Sequence, residues 1–378
     1  MYWKTQAYSN AQKKAEQHSE DLLRHCRRKM MKTRSFGTGK NGEPATLYTF
    51  ENKNGMIMEV TDFGATLYSL IVPDKDGNLC DVVLGYDSPA EYMGPTGRGP
   101  GFGATIGRNG NRIANAQFTL NGKTYELDKN NNGNNLHSGL NYYHYRMWTV
   151  KETTENSITF SMHSPDGDQG YPGNFDVDVT YTLTDDNELR LDYNGTSDQD
   201  TITNMTNHSY FNLNGHASGN ILEQELWVDA DAFTATDEKL IPTGEIVPVE
   251  GTPMDFRVKK PIGRDINEDY EAINFGGGYD HNWCLNNKGE FAKVIEMSSK
   301  ESGITMEVYT DLPGVQIYSG NFLKKEIGKN GIVYGHRQAI CFETQGYPDA
   351  IHHDNFPSVV CKAGEAYKTT TVYAFGIK

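Results

Sequence analysis

Two-residue alternation, punctuated by Asn-Gly and Asp-Gly pairs, constrains this chain more than any other feature of its sequence. Phe175, Val177, Val179, Tyr181 and Leu183 alternate with Asp176, Asp178, Thr180, Thr182 and Thr184. Side chains on an extended strand point to opposite faces, so this pattern buries one face and leaves the other in water. Leu189, Leu191 and Tyr193 repeat it, as do Ile158, Phe160 and Met162, and Ile304, Met306 and Val308. Between such runs stand Asn54-Gly55, Asp76-Gly77, Asn121-Gly122, Asp166-Gly167, Asn194-Gly195 and Asn330-Gly331. Glycine accepts the positive φ that tight hairpins require, so these pairs read as turns. Short strands punctuated this way predict an all-β sandwich or barrel.

The first 34 residues do not share the pattern. They hold nine Lys or Arg against three Asp or Glu, in a chain of 378 residues with a net charge of -15. Residues 11–32 are rich in helix formers but carry too few apolar side chains to dock a helix firmly. Residues 1–34 are therefore read as a basic, partly helical or disordered extension. Residues 35–378 are read as a single domain, with no linker to divide it and no long amphipathic helix. An acidic chain repels phosphate backbones, so nucleic acid is not an expected partner. No run reaches the ~18 apolar residues of a membrane span, and the N-terminus lacks the apolar centre of a signal peptide. The five cysteines form no CxxC pair. Scattered, unpaired thiols and the absence of these signals lead us to expect a cytoplasmic protein.

Several familiar chemistries have no sequence basis. There is no GxGxxG after a strand, no P-loop, no GxSxG elbow and no HExxH. Gly276-Gly277-Gly278 reads as a turn. His352-His353-Asp354 reads as a solvated loop, because adjacent side chains diverge on an extended backbone. What remains are six polar clusters set among the strands: 107–113, 134–139, 206–213, 278–283, 313–321 and 342–349. Their Arg, Asn, Gln, Asp and His, with Tyr and Trp nearby, form the inventory of a neutral-sugar site. Hydroxyls need paired donors and acceptors, and the apolar face of a pyranose packs on an aromatic ring.

These clusters resemble the aldose 1-epimerase family from about Leu47 to Phe375. The motifs that carry the resemblance are GRNGNRI at 107–113, NNLHSG at 134–139, TNHSYFNL at 206–213, GYDHN at 278–282, PGVQIYSGN at 313–321 and ETQGYPDA at 343–350, in the family order. One departure is Ser138, where the family usually has Gly. The resemblance implies one large, mostly antiparallel β-sandwich with its site in a cleft. It implies His208 as general acid and Glu343 as general base. It places the sugar against Asn111, Arg112, His137, Asp280 and Gln316, with Tyr210 a weaker member of that set.

The implied reaction opens and recloses a cyclic hemiacetal. One group takes the proton of the anomeric hydroxyl, another protonates the ring oxygen, the aldehyde turns about its C1–C2 bond, and closure on the other face gives the other anomer. Only protons move, so no cofactor and no metal is expected. A Glu near ~4.3 is ionised at neutral pH, and a His near ~6.5 can donate if a carboxylate or the field of the site raises it moderately. The expected partner is a small aldose, and the expected assembly a monomer or homodimer. Two rival readings are a hexose-6-phosphate 1-epimerase, with Arg108 and Arg112 as phosphate ligands, and a carbohydrate-binding β-sandwich without catalysis.

Overall fold

The computed structural model describes residues 31–94 and 99–378. The expected helix within 11–32 lies almost wholly outside them. Strands make up nearly all the regular structure, and the two α-helices among the described residues, Pro89–Met93 and Glu271–Gly276, have five and six residues. The first strand, Lys32–Thr38, pairs with Pro44–Glu51. Residues 32–34, counted with the basic extension in the sequence, therefore belong to a sheet.

The alternating segments assemble into a nine-stranded antiparallel sheet. Phe175–Leu183 pairs in register with Ser157–Ser164 on one side and Glu188–Ser197 on the other. Val177, Val179, Tyr181, Leu189, Leu191, Met306 and Val308 all point into one core. One turn expectation fails here. Asn194-Gly195 lies inside the strand Glu188–Ser197, where a Cβ on residue 195 would sit 2.5 Å from the Phe175 ring. This glycine marks a close approach rather than a reversal.

A six-stranded sheet packs across that core. Its order is Tyr210–Phe211, Ile340–Gln345, Gly314–Tyr318, Asp280–Leu285, Ala230–Thr236 and Pro242–Pro248. Trp283, Val315, Ile317, Ile340 and Phe342 point toward the nine-stranded sheet and are fully buried. The Tyr373 hydroxyl reaches across from the nine-stranded sheet and donates to the Phe342 carbonyl at 3.1 Å. The result is the expected large, antiparallel β-sandwich. A third sheet of five strands, spanning residues 32–81, adjoins it.

The central strands of the six-stranded sheet are buried on both faces, as the runs Asp280–Leu285, Gly314–Tyr318 and Ile340–Gln345 show throughout their lengths. On the face away from the core, register aligns Asp280, Tyr318, Cys341 and Tyr210 in one row. Asn282, Gln316 and Glu343 form the next. A polar sheet face that solvent barely reaches is the feature that positions the site.

Candidate active site

Two short strand pairs drawn from residues 104–208 lie over this polar face. Arg112–Ile113 pairs with Asn135–Leu136, and Thr206–His208 pairs with Ala104–Ile106. Asn111 and His137 both adopt left-handed backbone conformations, with φ of 59° and 52°. His137 Nδ1 accepts the backbone N–H of Asn111 at 3.1 Å. That bond leaves Nε2 to carry the ring proton when His137 is neutral. Ser138, the departure from the family motif, also has positive φ, at 72°. Its hydroxyl accepts from Asn109 N at 2.7 Å and lies 2.9 Å from Asn109 O, to which it donates. The serine thus ties the NNLHSG loop to the GRNGNRI loop, which a glycine cannot do.

Between sheet and loops is a cleft of about 290 Å³, near the lower end of the ~300–1,000 Å³ range of small-molecule sites. Seven of the eight residues singled out in the sequence line it: Asn111, Arg112, His137, His208, Asp280, Gln316 and Glu343. Tyr210 does not line it. Its ring stacks on His208, centroids 5.0 Å apart and planes 22° apart, and its hydroxyl donates to Pro100 O at 3.1 Å. Tyr210 therefore braces the imidazole from the side.

His208 Nε2 lies 3.5 Å from Glu343 Oε1. The other ring nitrogen, Nδ1, is 3.5 Å from Cys341 Sγ. His137 packs edge-on against His208 with centroids 5.4 Å apart. Side-chain donor atoms of His137, His208 and Glu343 all fall within 4.8 Å of one another. Among the described residues this is the one such trio close enough to share a cation, and the sequence expectation assigned it none. Gln316 Nε2 donates to Asp280 Oδ1 at 2.8 Å, and Arg112 Nε donates to Asn131 Oδ1 at 3.3 Å. Asp280 itself is delivered by a turn that follows the Glu271–Gly276 helix, capped by Gly277 at φ 62°.

Burial governs the electrostatics. It pushes the Glu343 carboxyl well above the usual range, and the Asp280 carboxylate adds to the rise while Arg112 opposes it. Burial also raises Asp280, against Arg112 and the Gln316 hydrogen bond. Burial lowers His208 to about 4, His144 to about 3, and His137 well below its ordinary value. The rise that would let His208 donate at neutral pH, from a carboxylate or the field of the site, is therefore not present in the empty cleft. Desolvation of a charged imidazole outweighs any attraction from the carboxyl, which burial also shifts toward its neutral form.

Two neighbouring arginines have different fates. Arg112 reaches the cleft. Arg108 is fully buried and donates to Pro172 O at 2.7 Å, Gly173 O at 3.0 Å and Ser164 Oγ at 2.8 Å, over the Phe175 ring. It is a structural cation with no donor free for a phosphate, which corrects its expected part in the sugar-phosphate reading. The His352-His353 segment lies at the surface as expected, with His352 and Asp354 exposed, but it is anchored from beneath. Asp349 accepts from His352 Nδ1 at 2.6 Å and from Ala114 N at 2.9 Å, and its own N–H donates to Arg112 O at 3.1 Å. This buried aspartate holds the Arg112 strand in place.

Sequence reasoning missed Asn130, Asn131, Tyr142, His144, Tyr318 and Phe322 as lining residues. Tyr318 was accessible, because it follows Gln316 by two positions and shares its face. The run Asn130-Asn131-Asn132 beside the NNLHSG motif was also a signal. His144 carried none.

The aldose 1-epimerase family model matches residues 46–374, within one residue at each end of the span marked by the motifs. The chain is 43% identical to galactose mutarotase of Sus scrofa over 91% of this chain and 98% of that one. It is 36% identical to aldose 1-epimerase of Escherichia coli (strain K12), covering 89% and 96%. Among solved structures, the GalM/aldose epimerase homologue from C. elegans superposes with a TM-score of 0.81 at 32% identity, covering 88% of this chain and 98% of that one. The sandwich, the polar cleft and these likenesses agree, and the chain belongs to the aldose 1-epimerase family.

Proposed function

We propose that this protein is an isomerase that interconverts the α and β anomers of a free aldose such as galactose or glucose, with His208 and Glu343 as its acid–base pair. The observation that carries the reading is the approach of His208 Nε2 to Glu343 Oε1, 3.5 Å, at the wall of a cleft sized for one small ligand. Asn111, Arg112, His137, Asp280 and Gln316 surround it and supply donors and acceptors for ring hydroxyls.

The pair works as a unit that holds one proton. The lowering of His208 and the raising of Glu343 both shift the shared proton from the imidazole toward the carboxyl in the empty cleft. Moving that single proton gives the imidazolium and the carboxylate without any exchange with solvent. From that second arrangement His208 protonates the ring oxygen and Glu343 takes the anomeric proton. Closure reverses both steps, so each residue serves once as acid and once as base. Arg112 and the Nε2–H of His137, both lining the cleft, are the donors we assign to the oxygen on which charge develops.

The commitment of Arg108 to carbonyl groups argues against a phosphorylated substrate. The paired acid and base argue against a purely binding role. The cleft is built from one chain, which suits a monomer or a homodimer. The free thiols of Cys80, Cys284, Cys341 and Cys361 favour a cytoplasmic setting. No helix among the described residues is long and apolar enough to cross a membrane. Polarimetry of freshly dissolved α-galactose, α-glucose, α-xylose and glucose 6-phosphate tests the proposal. Faster decay of optical rotation with the neutral sugars is expected. Binding without acceleration removes the catalytic reading.

A further inference from the structure

Behind the cleft, the same sheet face carries polar groups that do not line it. Asn282 shares a row with Gln316 and Glu343. Gln345 lies two residues beyond Glu343, opposite Gly314. Asn282, Gln345 and Thr206 are each at most 1% exposed. Both polar atoms of Asn282, both of Gln345, the Thr206 hydroxyl, Gln316 Oε1 and Glu343 Oε2 are enclosed with no hydrogen-bond partner from the protein. Nearby amides are paired as usual: Asn204 exchanges two bonds with the Gly346 backbone, at 3.0 and 2.7 Å. Native proteins leave few buried polar atoms unpaired, and a polar group of this kind is the usual lining of enclosed water.

Two glycines border the set. A Cβ on Gly314 would lie 2.5 Å from Asn282 Oδ1. One on Gly110 would lie 3.0 Å from Thr206 Cγ2 and 3.6 Å from Gln345 Oε1, so these two side chains converge beneath the loop.

We propose that Asn282, Gln345 and Thr206 are positioning residues that hold a small cluster of water against Glu343 Oε2, and that this cluster sets how readily Glu343 gives up its proton. The inference rests on the anomer-interconversion reading above. It divides the two carboxyl oxygens by task. Oε1 faces His208, while Oε2 is turned into the protein. Donors relayed to Oε2 favour the carboxylate over the acid. They therefore raise the share of the pair in the imidazolium–carboxylate arrangement that opens the ring. The charged groups around Glu343 act elsewhere. Asp280 strengthens its hold on the proton and Arg112 weakens it, and His208 and His137 meet it on the cleft side. The Cys341 thiol and the phenols of Tyr210, Tyr318 and Tyr373 lie in its field, all pushed up by burial and so neutral at pH 7.

The test is the pH–rate profile of Asn282→Leu, Gln345→Met and Thr206→Val beside the unaltered protein, on whichever aldose that protein turns over. For the two amide variants kcat is expected to fall about tenfold with KM within about threefold, and the alkaline limb of kcat/KM to rise by about one pH unit. Thr206→Val keeps the side-chain shape, so it reports a smaller effect of the same sign even where an amide variant fails to fold. Folded amide variants with kcat within about twofold of the unaltered protein, any folded variant with reduced kcat and an unmoved limb, or Thr206→Val with both unchanged, overturn the inference alone. An unaltered protein that accelerates no mutarotation removes the functional reading and this inference with it.

Discussion

The two faces of the three central strands of the six-stranded sheet are both buried, yet they hold different chemistry. Toward the sandwich core, Trp283, Val315, Ile317 and Phe342 pack with no orphaned polar atom among them. Toward the loops, Asp280, Asn282, Gln316, Glu343 and Gln345 are also buried, and four of the five carry unpaired atoms. Burial therefore does not distinguish core from site in this fold. On these strands unpaired polar atoms do, because a ligand, water or a proton in transit can satisfy them.

The sharpest way to test the contrast is to change one residue on each face. Glu343→Gln and His208→Asn are expected to lower kcat by about 10²–10⁴-fold, with the thermal transition nearly in place. Polarimetry and calorimetry on the same samples separate the two effects. Near-normal turnover in either variant removes that residue from the mechanism. Phe342→Ala, one position along the strand, should do the reverse. Losing a fully buried ring costs about 3–5 kcal/mol of stability, read as a lowered denaturant midpoint. If that variant remains folded but inactive, with its midpoint unchanged, the division between faces is wrong.

A third test uses pH. Burial lowers His137, His144, His208 and His281. The unfolded chain, with histidines near ~6.5, binds protons first as pH falls. Stability is then fully present above about pH 6.5 and is progressively lost toward the folded-state value of about 4 for His208 and about 3 for His144 and His281. The acid limb of kcat/KM should lie near pH 4, where His208 gains its proton and the pair holds two. A limb near 6.5 shows that His208 is solvated rather than buried. The smallest expected effect is at Ser138→Gly. It deletes the hydroxyl bonded to Asn109 but relieves a side chain held at φ 72°. These oppose each other to within about 1 kcal/mol, and KM should move less than threefold. A tenfold change in KM makes the serine a determinant of loop position.

The strands of the nine-stranded sheet were legible because one face meets solvent and polarity alternates, as in Phe175–Leu183. The strands of the six-stranded sheet were legible only as polar clusters. Both of their faces are buried, and Asp280–Leu285 reads as a mixture rather than an alternation. The acid and base roles came from resemblance to a family, since neither His208 nor Glu343 stands out by spacing. Arg108 and Arg112 look interchangeable in the motif GRNGNRI. Their fates diverge because Asn111 turns the backbone at φ 59° between them. The depressed pKa of His208 was illegible for a related reason: depth of burial depends on what packs above the strand, and those loops lie about a hundred residues earlier.

The Asp349 bracket on Ala114 joins residues 235 positions apart. The cleft draws on Asn111 near one end of the domain and Glu343 near the other, so it closes only after the most distant parts of the chain have met. Contacts of such sequence separation are the slow ones to form. During synthesis the cleft loops emerge long before the proposed base, and no N-terminal fragment ending before residue 343 contains the complete proposed acid–base pair. Catalytic activity is therefore a direct report that the whole sandwich has closed, and turnover recovered during refolding will track the last long-range pairing rather than the first appearance of strands.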